Sequence, residues 1–211
     1  AATNRARDPR PLEPPGPAAS RAWARLSRSL QSPTMTAAVA PVSDSVASPP
    51  PDIRPETPQD AGAIESLVAR AFGPGRFAKA SERVREFAPL RPDLSFCAWE
   101  GERLVGVVRQ SEIAVGDRRL IFLGPLAVDA AARRHGAGAR LVEIACAAAS
   151  AAGYGEVLLV GDPPFFGRLG FSAEATGQII MPGPVDPRRL LLKVLGPAEG
   201  TDPLQGAVAA P

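Results

Sequence analysis

The sequence predicts a mixed α/β (α+β) fold. Its central sheet starts as an antiparallel meander, continues into a parallel β-α-β portion and is flanked by helices. Three observations predict it. The strand-like runs "LSFCAWE", "RLVGVVRQSEIAV" and "RRLIFLGPLAV" follow one another across the short turns "GE" and "GD", the spacing of hairpins. An alanine-rich helical stretch, "GARLVEIACAAASAAG", comes next. After it, "GEVLLVG" is short and wholly apolar, the pattern of a strand covered on both faces. Strand, helix and strand in that order imply parallel pairing across a crossover.

Each element has its own local signal. "TPQD" reads as a helix start, with Thr57 as N-cap, Pro58 in the first helical position and Asp60 in the third. Ile64, Leu67, Val68 and Ala71 then recur at helical spacing until "FGPG" stops the run. A second helix spans about Ser81 to Phe87, with Val84 and Phe87 apolar. The three strands of the meander and the long helix, ended by Gly153, follow. "PPFFGRLG" reads as a short helix, and "FSAE", "QIIM" and "LLLKVL" are the last strand candidates.

Composition bounds the rest. The chain has 211 residues, 45% of them hydrophobic, enough for one domain with a real core. A net charge of +2 gives no strong basic field, and no aromatic-interleaved basic stripe marks a nucleic-acid surface. No apolar run reaches membrane-spanning length. Cys97 and Cys146 stand far apart in apolar surroundings and read as buried free thiols. With His135 the one histidine, no metal site is expected. The expected compartment is the cytoplasm. Residues 1–51 are rich in proline, alanine and arginine and are expected to be a disordered extension. Within them "SRAWARLSRSL" has an amphipathic, arginine-bearing pattern. Three readings of the extension stay open: a start-site artefact preceding Met35, a tail without function, or a targeting segment. Residues 52–196 are expected to form the domain and 197–211 a flexible tail.

The chemistry centres on "ARRHGAG", placed between the last strand of the meander and the long helix. A helix N-terminus offers unpaired N–H groups and the positive end of the helix dipole. A glycine-containing loop lets those groups converge on an anion without Cβ obstruction. Gly136 and Gly138 have that placement, and Arg133 and Arg134 add charge, so the ligand expected here is a phosphate or pyrophosphate. No Gly-Lys-Ser/Thr follows, so this is not a Walker loop.

"LGPLAVDAAARRHGAG" resembles the strand-to-helix motif of the GNAT superfamily of acetyl-coenzyme A-dependent acyltransferases, Arg133, Gly136 and Gly138 matching its R/Q-x-x-G-x-G/A pattern. "GDPPFFGRLGF" resembles the "GDPxYYxRFGF" segment of a bacterial subgroup of that superfamily. The resemblance covers about Asp52 to Ala173. It implies acetyl-coenzyme A as cosubstrate and no metal. Its pyrophosphate would sit on the loop formed by Arg134, His135, Gly136, Ala137, Gly138 and Ala139. Its pantetheine arm would run along Leu126, Ala127 and Val128, in a gap where that strand splays from "EVLLVG". Pro125 suits such an interruption, since it cannot donate to a ladder.

The resemblance also implies an acid that protonates the departing thiolate, a tyrosine five residues before the phenylalanine of the "GF" pair. Here that position is Phe166, which has no proton to give and is expected near the sulfur. Glu112, in the polar cluster of Arg109, Gln110, Ser111 and Glu112, is the candidate base, with a solvent-facing strand residue as its alternative. Asp129 is a candidate cap of the glycine loop, Asp162 of the "DPP" turn, and Tyr154 reads as structural. The function implied is acetyl transfer to an amine of a small molecule, peptide or lysine. The other reading is a coenzyme A-binding module with weak or no catalysis that acts as a sensor or protein partner. Partners expected are an amine-bearing acceptor but neither nucleic acid nor membrane, in a monomer or homodimer.

Overall fold

The computed structural model describes residues 49–196 and 203–211; nearly all of the N-terminal extension and its "SRAWARLSRSL" segment lie outside the described residues. Strand β1 (Asp52–Pro55) leads through a 3-10 turn (Pro58–Asp60) into helix α1 (Ala61–Phe72). The turn is fixed as its sequence suggests: the Thr57 N–H and hydroxyl each donate to Asp60 Oδ2 at 2.9 Å. A second 3-10 turn (Pro74–Ala78) precedes helix α2 (Ala80–Phe87). The meander follows as β2 (Phe96–Glu100), β3 (Arg103–Val115) and β4 (Arg118–Val128). Helix α3 (Ala137–Ala151), strand β5 (Glu156–Val160) and the one-turn helix α4 (Pro163–Gly167) come next, then β6 (Ile179–Ile180), β7 (Leu190–Val194) and β8 (Gly206–Ala209).

The main sheet runs β1-β2-β3-β4-β5-β7. β4 and β5 pair in parallel, at Ile121↔Val157 and Phe122↔Leu158, as the crossover through α3 requires. All the other pairs along this path are antiparallel. Alternation along β3 divides the layers. Val107 and Ile113 point to one face. There Val107, with Cys97 and Ala127, packs under Ile64, Leu67 and Val68 of α1. Ile113, with Leu120, Phe122 and Leu158, packs under Ala80 and Val84 of α2. Gly106 and Gln110 point to the other face and meet α3, at Leu141 and at the Ala145 carbonyl. The fold therefore places α1 and α2 on one side of the sheet and α3 on the other.

Two strands escape the sequence reading. β1 pairs along β2 as the sheet's edge. Residues 203–211, expected as part of a flexible tail, instead contain β8, which pairs with β3 at Ala114↔Ala209 and Val115↔Val208 and buries Leu204 and Val208 in the core. The physical reason is an unfilled edge. β3 outruns β2, whose pairing stops at Phe96↔Val108; residues 89–91 bond its next stretch at Gln110 and Glu112, and the ladder groups beyond, at Ala114 and Val115, need a partner. Of the last strand candidates, "FSAE" supplies only an isolated bridge, Ser172↔Leu192.

Candidate active site

β4 changes character halfway. At Ile121 and Phe122 it is paired on both sides. Its ladder with β3 then slips from Gln110↔Leu123 to Val108↔Leu126, so Gly124 and Pro125 together oppose Arg109. Such a bulge bends a strand, and β4 has no β5 partner after Phe122. A gap opens between the two parallel strands. The Asp129 N–H donates to the Val105 carbonyl at 2.8 Å, which sets the phase of the antiparallel ladder. Ala127 therefore spends its backbone groups on Val107, whereas Leu126 and Val128 turn theirs into the gap. The Val128 carbonyl accepts from Arg133 Nε at 3.1 Å. That leaves both backbone groups of Leu126 and the N–H of Val128 facing the gap.

The loop that follows is capped by Asp129, as its position suggests. Its carbonyl accepts from the N–H groups of Ala132 and Arg133 at 3.0 and 3.2 Å, and Oδ1 accepts from Ala131 N–H at 3.1 Å. Gly136 takes the left-handed conformation, φ 69°, which favours glycine. No atom lies within 4 Å of where its side chain would be. The α3 ladder starts with Arg140 N–H donating to the Gly136 carbonyl at 3.1 Å. The N–H groups of Ala137, Gly138 and Ala139 thus project from the helix end, beside the gap. Arg134 and His135 contribute backbone to the preceding 3-10 turn; their side chains lie outside the described structure.

Helix α4 closes the far side. The Asp162 carbonyl accepts from Phe165 and Phe166 N–H at 3.1 and 3.0 Å, so it fixes the "DPP" turn. Phe166 is buried edge-on against Phe171, ring centroids 5.7 Å apart. It covers Gly161 so closely that a Cβ there would lie 2.3 Å from the ring. The ring that reaches the cradle is Phe165: its Cζ and Val128 Cγ2 are each 3.5 Å from where a Cβ on Gly138 would be. The sequence reading placed Phe166 near the coenzyme A sulfur and gave Phe165 no role. On a one-turn helix two adjacent rings point about 100° apart, so Phe165 borders the Gly138 end of the cradle while Phe166 packs on Gly161 and Phe171.

Glu112 does not line the gap. It sits on β3 opposite Ile121, on the α3 side, where β4 is still paired on both edges and stands between it and β5. Its carboxylate is held by Arg119 at 3.3 Å and Arg91 at 3.7 Å. Arg91 also pairs with Asp93 at 2.7 Å and donates to the Tyr154 hydroxyl. Burial pushes the Tyr154 phenol up to about 12, so it stays neutral in a structural cluster. Burial likewise pushes the thiols of Cys97 and Cys146 up to about 12 and about 11, which removes their nucleophilic form near neutral pH. Among the described residues no cluster of three or more His, Cys, Asp or Glu side chains is placed to hold a metal ion, and no helix is long and apolar enough to cross a membrane.

The opposite face of the bulge carries charge in pairs. Arg109 donates Nε and Nη2 to the two carboxylate oxygens of Glu56 at 3.0 and 2.7 Å and Nη1 to Glu65 at 3.4 Å. Arg76 Nη2 donates to the other Glu65 oxygen at 3.3 Å. Arg85, paired with Glu82, brings Nη1 to 3.6 Å from where a Gly124 side chain would start. Of these residues only Arg109 stands out in sequence, as part of the polar run on β3.

Comparison with known proteins agrees with this geometry. The sequence model of the acetyltransferase (GNAT) family matches residues 62–171. The chain is 34% identical over 125 residues to YhbS, an uncharacterized N-acetyltransferase of Escherichia coli K12, covering 58% of this chain and 74% of that one. The crystal structure of Escherichia coli YhbS in complex with CoA aligns with a TM-score of 0.62 at 28% identity, covering 75% of this chain and 88% of that one. A GNAT family acetyltransferase from Brucella melitensis in complex with acetyl-CoA aligns with a TM-score of 0.54 at 26% identity, covering 75% and 94%.

Proposed function

Because the chain belongs to the acetyltransferase (GNAT) family, we propose that its β4–β5 gap holds acetyl-coenzyme A and that the protein delivers the acetyl group to an amine acceptor. One observation carries the assignment. The unladdered backbone of Leu126 and Val128 leads directly to the projecting N–H groups of Ala137, Gly138 and Ala139, so a strand-like arm and an anionic end are served by one continuous surface. The arm of coenzyme A suits the strand edge, and its pyrophosphate suits the helix end and the open space at Gly136. Arg133 serves by holding the Val128 carbonyl, which orients the strand end. Phe165 supplies an apolar wall at the same level. When bound, acetyl-coenzyme A supplies an activated thioester.

This chain's residues then hold the reactants in place. Glu112 is engaged by two arginines away from the gap, so in this reading the amine arrives neutral and gives its proton to water. Phe166 has no proton for the departing sulfur. Acid assistance is typically worth about 10²–10⁴-fold, but a thiolate leaves without it far more readily than an alkoxide, so slower turnover is expected rather than none. The phenylalanine at this position also supports a second reading, in which the protein binds coenzyme A with little catalysis. Free-thiol release from acetyl-coenzyme A across an amine panel separates the two. Amine-dependent release supports the transferase, and tight binding without release supports the binding module.

A further inference from the structure

We propose that Arg76 and Arg109 form a carboxylate-recognition site for the acceptor, so that the favoured acceptors are amines that also carry a carboxylate, of the amino-acid type. This rests on the acetyl-transfer reading above. The two arginines come from distant parts of the chain, the 3-10 turn between α1 and α2 and the residue facing the β4 bulge. They converge on the single carboxylate of Glu65, each taking one oxygen, at 3.3 and 3.4 Å.

Exposure shows which member of this trio is replaceable. The arginine side chains are only 13% and 16% exposed, whereas Glu65 is 60% exposed. Arg109 is already satisfied on its other edge by Glu56. Arg76 is not: its Nε is buried and has no hydrogen-bond partner. A guanidinium presents Nε and one Nη as a planar fork that fits two carboxylate oxygens. Glu65 takes only the Nη2 tine. A free carboxylate entering here could use both tines of Arg76 together with Nη1 of Arg109, and the exposed Glu65 can turn into water at little cost. Glu65 thus stands where an acceptor's acid group would bind.

Position supports the role. Arg109 opposes Gly124 and Pro125, where the gap opens, and shares the sheet face of Val107, opposite α3. A carboxylate held there lies on the α1–α2 side of the sheet, away from the pyrophosphate cradle, and the acceptor's amine reaches over β4 to the gap.

The test begins with calorimetric titration of acetyl-coenzyme A into the full chain, because failure to bind overturns the acetyl-transfer reading and this inference with it. Thiol release is then measured for matched acceptors: phenylalanine, leucine and lysine, their amides, and the corresponding decarboxylated amines. The free acids are expected to show a KM about 10-fold or more below their amides and amines. Arg76→Gln is expected to erase that difference without changing coenzyme A affinity, and Glu65→Gln to lower the KM of the acids a few-fold. Equal or better use of the uncharged analogues, a preference that survives Arg76→Gln, or coenzyme A binding with no turnover of any acid-bearing amine would overturn the proposal.

Discussion

The two faces of the sheet at the β4 bulge are built on different principles. On the α3 face the site is made of backbone: the groups left over by Leu126 and Val128 and the first N–H groups of α3. On the α1–α2 face it is made of side chains, in ion pairs such as Glu56–Arg109 that join residues 53 apart in sequence. Backbone donors are the same in every residue and can be blocked or misdirected but not exchanged. A common feature of many acceptors' partner, an invariant phosphate-bearing arm, suits such a surface. Side-chain pairs can be altered one at a time, which suits recognition of an acceptor. In the proposed reading, binding of the shared cosubstrate and choice of acceptor are physically separable, and substitutions should sort by face.

The largest effect is expected on the side-chain face. Arg109→Leu strands the Glu56 carboxylate, which is 6% exposed, and removing one partner of a buried pair costs about 3 kcal/mol. Chemical denaturation should show that loss, while acetyl-coenzyme A affinity of the folded variant stays within about threefold. A comparable loss of affinity would erase the distinction between the faces.

Next comes the cradle. Gly136→Asp is expected to weaken acetyl-coenzyme A binding about 100-fold, or about 2.7 kcal/mol, by setting a carboxylate against the pyrophosphate. Stability should fall by about 1 kcal/mol, because a side chain is strained in the left-handed conformation of Gly136, although the space is open and aspartate suits an N-cap. Calorimetry on the folded variant reads this directly, and unchanged affinity would remove the pyrophosphate from the α3 end. Gly161→Ala should cost about 2 kcal/mol of stability, since the new Cβ must displace the buried ring of Phe166; a thermal melt unaltered by the substitution would show that the ring yields freely.

The smallest effect is expected from Phe166→Tyr. It should raise turnover up to about 10-fold, within the range of acid assistance, or leave it unchanged, with coenzyme A affinity unaltered. The ring's burial against Gly161 and Phe171 favours the lower end, because an added hydroxyl must find a partner. A folded variant that binds normally but loses activity would mean that the bare ring serves the acceptor.

What the sequence made legible follows the same division. The meander, the long helix and the Thr57–Asp60 cap depend on neighbours in the chain, and they lie where periodicity and capping residues place them. The strand–loop–helix juncture proposed as the cradle was legible too, because Gly136 and Gly138 mark it at fixed spacing between a strand and a helix. β8 was not: "GAVA" carries no strong alternation, and its partner, the free end of β3, lies about 90 residues earlier, beyond any local pattern. That Phe165 borders Gly138 while Phe166 packs on Gly161 and Phe171 needed the rotation of a one-turn helix, and the separation of Glu112 from the gap needed the register of β3 on β4. Arg76, Glu65 and Arg109 meet only through tertiary packing, so the proposed acceptor site had no sequence signature.

The central claim is that a strand edge and a helix end together bind acetyl-coenzyme A through particular backbone groups. Residue-resolved amide hydrogen exchange, with and without saturating acetyl-coenzyme A, tests it most directly. The N–H groups of Leu126, Val128, Ala137, Gly138 and Ala139 are expected to gain protection, whereas Ala127, already bonded to Val107, should change little. Protection that appears instead along the outer strands β1 or β7, with the amides of Leu126, Val128 and the first turn of α3 unaffected, would contradict the account.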